Sequence, residues 1–120
     1  MTTTALLAMA ATFNLVCTGT HVQTKNNTVV PDTQFTHAFR VDLDSGRYCR
    51  DSCEQTHPIF HVTDTQIVFT RLERDAILIE VRVSRESGFY SAISNSLSGT
   101  GWSQGTCTKE PFTGFPARKF

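Results

Sequence analysis

The chain has no excess of either charge: its 11 basic and 11 acidic residues cancel to a formal net charge of zero. Without a long-range field it has no means of gathering a polyanion, so nucleic acid is not an expected partner. It also has no long apolar run. Nothing approaches the roughly 18 to 20 consecutive apolar residues that a membrane-spanning helix needs, and no transmembrane segment is expected. Beyond residue 12 no stretch carries a helical period, and no repeat, low-complexity tract or shift in composition marks a second domain. Motifs are missing as well: there is no Gly-x-Ser-x-Gly, no Gly-rich phosphate loop and no His-Glu-x-x-His. These absences lead to the expectation of a single small non-enzymatic domain that carries no cofactor.

What the chain does have is a period of two. Phe35, His37, Phe39, Val41 and Leu43 alternate with Thr36, Ala38, Arg40 and Asp42, and Asp44-Ser45-Gly46 follows as a turn. Ile77, Ile79, Val81 and Val83 alternate with Leu78, Glu80, Arg82 and Ser84. The turn Glu86-Ser87-Gly88 and the run Phe89 to Ile93 complete a hairpin. Phe13, Leu15 and Cys17 share one face of an opening strand, Ile59–Val62 and Gln66–Thr70 flank a turn at Thr63-Asp64-Thr65, and Trp102–Thr108 forms the last strand. The polar stretches Val22–Gln34 and Ser94–Gly101 read as loops. The fold class is all-β: a small antiparallel β-barrel or sandwich of seven to eight strands, spanning residues 12–120.

Four cysteines staple this framework: Cys17, Cys49, Cys53 and Cys107. Loop-closure entropy does not choose among the three pairings. Cys17–Cys107 with Cys49–Cys53 sums to roughly 6.6 kcal/mol and Cys17–Cys49 with Cys53–Cys107 to roughly 8, a difference within the error of the relation. Geometry is the better guide. An antiparallel barrel brings its first and last strands together, which sets Cys17 beside Cys107. Cys49 and Cys53 then meet across a turn or one helical turn, because four residues of extended strand would separate their Cα atoms by about 13 Å.

The same residues allow a second reading. Cys49, Cys53, His57 and His61 recur at intervals of four, and all are ligand types that zinc accepts. On one helix they would form a stripe about 18 Å long, and Pro58 interrupts it, so convergence on one ion needs a folded-back loop. His37, in register with Phe35 and Phe39, is expected to be a satisfied core or rim histidine. Asp42, Asp44, Asp51 and Asp64 lie in or beside turns, where Asp serves local hydrogen bonds. Alternation back from an inward Cys107 turns Trp102 outward. It is then either a partner contact or a residue covered by the C-terminal tail with Phe112, Phe115 and Phe120, and packing under the tail is the expectation.

At the N-terminus, Ala5-Leu6-Leu7-Ala8-Met9-Ala10-Ala11 is a short apolar block containing a small-x-small cleavage pattern, although Met1-Thr2-Thr3-Thr4 supplies no basic residue. Residues 1–11 are expected to be a signal peptide, which agrees with the cysteines in pointing to export. A lipid anchor on Cys17 is not expected, since Val16 is not the small residue that lipid attachment requires.

Phe13-x-Leu15-x-Cys17-x-Gly19, Val83-x-Arg85-x-Ser87-Gly88 and Gly105-x-Cys107 resemble the layout of short bacterial secreted β-proteins of unassigned function. More distantly the layout is similar to the periplasmic barrels that inhibit C-type lysozyme, which also tie an early cysteine to a late one. The resemblance implies an envelope compartment and a binding role. The Ser-x-Ser-Gly-x-x-Tyr loop of those inhibitors is absent and Ser87-Gly88-Phe89-Tyr90 is a partial echo, so no inhibitory residue carries over. The expectation is a periplasmic or secreted binding module, inhibitor-like or an envelope accessory, with a protein or envelope component as partner and Trp102 and Tyr90 as candidate contacts. The alternatives are a lipocalin-like carrier of a small apolar ligand and a Cys/His metal-binding protein.

Overall fold

In the computed structural model, which describes residues 11–117, nine antiparallel strands form one sheet in the order β4-β3-β2-β1-β9-β8-β7-β6-β5. The strands are β1 Thr12–Lys25, β2 Thr28–Asp42, β3 Arg47–Arg50, β4 His57–Pro58, β5 His61–Val62, β6 Gln66–Arg74, β7 Ile77–Ser84, β8 Phe89–Ser96 and β9 Gly99–Glu110. The sheet curls into a half-barrel, as its all-β, period-two pattern predicts. Seven strands have four or more residues, and the two extra ones are the two-residue pieces β4 and β5. The expected signal peptide falls almost wholly outside the described residues, as does Phe120.

Two stretches expected as loops are strands. The polar stretch from Val22 to Gln34 is the far end of a long hairpin, with β1 and β2 meeting at Asn26 and Asn27, whose φ angles are 51° and 64°. Two consecutive left-handed residues make the twist that a tight hairpin requires, and Asn tolerates that conformation. Ser94–Gly101 likewise spans the turn between β8 and β9. Both segments are polar because they lie beyond the packed core, where neither face of the sheet is covered. Hydrophobic period therefore carries no signal there, and backbone pairing alone makes the strand.

The core lies toward the other end. Phe13, Leu15 and Cys17 of β1, Phe39 and Val41 of β2, Tyr48 of β3, Ile67 and Phe69 of β6, Val83 of β7, Tyr90 of β8 and Cys107 of β9 form one buried cluster. Each comes from the inward set of its strand. In β6 the alternation shifts by one at a bulge between Val68 and Thr70, which lets Ile67 and Phe69 both turn inward below it and Thr70 above it. Phe39 and Phe69 stack with centroids 4.6 Å apart, across the space between the two flanks of the sheet. Tyr48 tilts against Phe69 at 4.8 Å and hydrogen-bonds Thr70 Oγ1 through its hydroxyl at 2.7 Å.

Both expected disulfides are present. Cys17 and Cys107 face each other in the central β1/β9 pair, with Cα atoms 3.9 Å apart. Two residues on, Gly19 opposes Gly105, and a Cβ on either would collide with the facing strand's backbone, so both positions require glycine. Cys49 and Cys53 close a five-residue turn in which Asp51 and Cys53 take left-handed φ angles of 56° and 50°. Removing the long-range bridge as Cys17→Ala/Cys107→Ala is expected to cost about 4–5 kcal/mol and removing the short one as Cys49→Ala/Cys53→Ala about 2 kcal/mol. Chemical denaturation of the two double variants checks the order, and equal losses would contradict it.

Candidate functional site

The site begins with the way the two edges of the sheet meet. Residues 57–62 run down between β3 and β6: His57 and Pro58 pair with Tyr48 and Arg47, and His61 and Val62 pair with Val68 and Ile67. The change of partner occurs between adjacent residues, since Ile59 N–H donates to the Gly46 carbonyl at 2.8 Å and Phe60 N–H to the Phe69 carbonyl at 3.2 Å. Pro58, which has no N–H, lies where the backbone faces away from β3. One short stretch of chain thus joins the two edges over the core end of the half-barrel.

Above this crossing β3 and β6 stay apart and leave a cleft of about 370 Å3. Phe39, Ile79 and Val81 form its apolar floor, and Arg50, Glu54 and His57 stand around it on one side. Tyr48 and Thr70, joined by their hydroxyls, sit at its base. A concave surface with an apolar floor and a few converging polar groups is the usual form of a binding site.

The disulfide turn builds one lip of the cleft. Asp51 N–H donates to the Ala38 carbonyl at 2.7 Å, and Asp51 Oδ1 accepts from Ala38 N–H at 3.0 Å, which ends the β2/β3 ladder with a side chain in place of a strand. Asp51 Oδ2 accepts from His37 Nδ1 at 3.0 Å and lies 3.6 Å from Arg50 Nε. His37 is therefore the satisfied rim histidine that its place in the stripe predicts. Its ring packs 5.3 Å from Phe35, which packs at the same distance on Tyr90. Burial pushes the Tyr90 hydroxyl above the ordinary tyrosine range, while the neighbouring Arg50 guanidinium opposes the rise.

The opposite wall is the β6/β7 hairpin, braced on its outer face by Glu80, which pairs with both Arg71 and Arg82. Burial raises the Glu80 carboxyl, but hydrogen bonds and charge from the two guanidinium groups outweigh it and hold the group below its ordinary value. Farther up the half-barrel, Ser103 Oγ lies 2.7 Å from His21 Nδ1, and no acidic side chain completes a triad with them among the described residues. A second cavity of about 520 Å3 opens at the core end beside Ala11, over Phe13, Leu15, Ile67 and Val83, with Arg85 and Lys109 at its rim.

Several sequence-based expectations are corrected. Tyr90 is 1% exposed in the core and is not a surface contact. Trp102 is at the surface at 36% exposure, between Val22 and Ile93 on the outer face. The described part of the tail, to residue 117, is held elsewhere. Thr113 hydrogen-bonds Asn14 and the Gly114 carbonyl accepts from Arg40, so residues 112–115 cross the other end of the outer face, where Phe112 and Phe115 pack edge to face. The metal reading loses its sulfur ligands, because Cys49 and Cys53 are bonded to each other, while His57 and His61 pair with opposite edges of the sheet. Sequence reasoning missed Arg50 and Glu54, which lie inside and beside a turn that no local pattern ties to β6.

Among the described residues no helix is long and apolar enough to cross a membrane. No family model matches the chain, and no curated protein or solved structure matches it.

Two outcomes follow. Because Glu80 titrates below its unfolded value near 4.5, its pairing adds stability above that pH and loses it as the pH falls through the lower, folded value. The midpoint of denaturation should drop on acidification below about pH 4.5 by less in Glu80→Gln than in the wild type. Asp51→Ala removes both the acceptor for Ala38 N–H and a residue that tolerates positive φ, and should cost about 1–3 kcal/mol in thermal or chemical denaturation.

Proposed function

We propose that the protein is a secreted or periplasmic, non-enzymatic binding module whose ligand is received at the cleft between β3 and β6. The observation that carries this reading is the placement of the second disulfide. It is used on a five-residue turn, at the lip of a concave surface where Arg50, Glu54 and His57 converge over an apolar floor. A turn with two strained left-handed residues, cross-linked and buried at both sulfurs, holds its side chains in one geometry before a ligand arrives, and preorganisation of that kind raises affinity.

Export is supported by the two disulfides, which persist in oxidising compartments, and by the apolar N-terminal block. A binding role is preferred over catalysis because the His21/Ser103 pair lacks an orienting acid and Ser52, which lines the cleft with Glu54 and His57, is hydrogen-bonded to neither. It is preferred over an apolar carrier because the charged residues Asp44, Asp64, Arg85 and Lys109 line the larger cavity together with its apolar ones.

The oxidised protein, immobilised alongside Arg50→Glu and Trp102→Ala variants, tests the reading against envelope extract. Capture by the wild type and by Trp102→Ala, with loss in Arg50→Glu, is the expected outcome. Loss in Trp102→Ala alone would move the site to the outer face. Labelling of Ser103 by an active-site serine reagent would restore the enzyme.

A further inference from the structure

The free edge of β6 continues the cleft, and the alternation of its backbone can be followed residue by residue. Phe69 offers its carbonyl to Phe60 on the side away from β7. Arg74 pairs with Ile77 next to the two-residue turn, so Arg74, Leu72 and Thr70 direct their N–H and C=O groups to β7. Arg71 and Glu73 accordingly direct theirs away from β7, into the row that Phe60–Val62 occupies lower down. Among the described residues no strand pairs with β6 in that row above Phe69, because the chain there has crossed to β3. Inward of the same edge, Leu72 and Ile77 are 40% and 43% exposed beside Ile79, an apolar strip continuous with the cleft floor.

We propose that this edge takes up an extended segment of a partner protein, which adds to β6 as an antiparallel strand in continuation of the row begun by residues 60–62. The inference rests on the cleft reading above and names its ligand class. The segment forms backbone hydrogen bonds with Arg71 and Glu73, the only unpaired ladder positions between the bulge and the turn. Its residues opposite Thr70 and Leu72 face inward and carry apolar or hydroxyl side chains that cover Leu72 and reach the cleft. Its residues opposite Arg71 and Glu73 face outward and are favoured when their charges complement those two, which selects among partners.

The other edge lies away from the cleft: among the described residues the part of β2 before Ala38 has no partner on the side away from β1, and none of it lines the cleft. Ala38 is capped by Asp51, and β2 carries Pro31 at its register shift against β1. A second copy of the chain is a poorer occupant of the β6 edge, since pairing through its own β6 edge would match only two unpaired positions on each side and would leave the cleft empty.

A display library of random octapeptides selected on the oxidised wild-type protein supplies the probe. The binders obtained are measured against wild type, Glu73→Pro, Arg50→Glu and Trp102→Ala. Proline at position 73 removes an N–H that faces the edge and keeps the β7 ladder, and near-UV circular dichroism checks its fold. The expected result is a loss of about tenfold in Glu73→Pro, and a similar loss when an alternate amide of the peptide is N-methylated, the second measurement standing even if the variant folds poorly. Peptides weakened by Arg50→Glu but indifferent to Glu73→Pro and N-methylation would overturn strand addition and leave the cleft reading intact. Binders sensitive only to Trp102→Ala would overturn both. The absence of any peptide binder, or a dimer in sedimentation that Glu73→Pro dissolves, would overturn the peptide as occupant.

Discussion

The pairing of the first strand with the last is the constraint on which the rest of the structure depends. β1 and β9 lie side by side at the centre of the sheet, registered by Cys17 opposite Cys107 and drawn close by Gly19 opposite Gly105. Every other neighbour in the sheet is a neighbour in the chain. Once the two ends are joined in the middle, the edges of the sheet must fall at its interior, between β4 and β5. Those two pieces belong to a single stretch of chain, separated only by Ile59 and Phe60, so closure at one end of the half-barrel is covalent as well as hydrogen-bonded. The 90-residue separation of the central bridge also makes it the larger of the two constraints on the unfolded chain.

The cleft is a consequence of that topology. A strand long enough to fill the whole seam would close the barrel, but residues 57–62 span only its core end, where Phe39, Tyr48 and Phe69 already stack across the interior. Above them β3 stops at Arg50, and the chain turns back through the Cys49–Cys53 bridge. Asp51 then satisfies the next β2 amide that a longer β3 would have paired. The same turn therefore ends the ladder, shapes the lip and presents Arg50. On the facing wall, the Glu80 pairs with Arg71 and Arg82 keep charge on the outer face and leave the inner one to Leu72, Ile77 and Ile79.

Much of the core end was legible in the chain. The stripe Phe35 to Leu43, the hairpin across Glu86-Ser87-Gly88 and the inward phase of Ser103, Gly105 and Cys107 all follow from period two, because there one face is packed and the other wet. The hairpin at Asn26-Asn27 was not legible by that signal, since both of its faces are wet. Trp102 was correctly turned outward by alternation. What covers the neighbouring surface was not, because the tail is held by Asn14 and Arg40, far from it in sequence. Tyr90 reads as a contact from a local motif and is buried by aromatic neighbours from β2.

The chain by itself determined the class of fold and the phase of most strands, since these rest on local alternation, whereas the disulfide pairing expected from it depended on the first and last strands meeting. Only the tertiary structure decided that the strands close around a seam, that Asp51 caps Ala38, and that Arg50, Glu54 and His57 face Thr70, Ile79 and Val81 across a gap. Those relations join residues 13 to about 31 positions apart through the curl of the sheet. Curl is set by the summed twist of all nine strands and by the β6 bulge, and no local pattern in the chain encodes that sum.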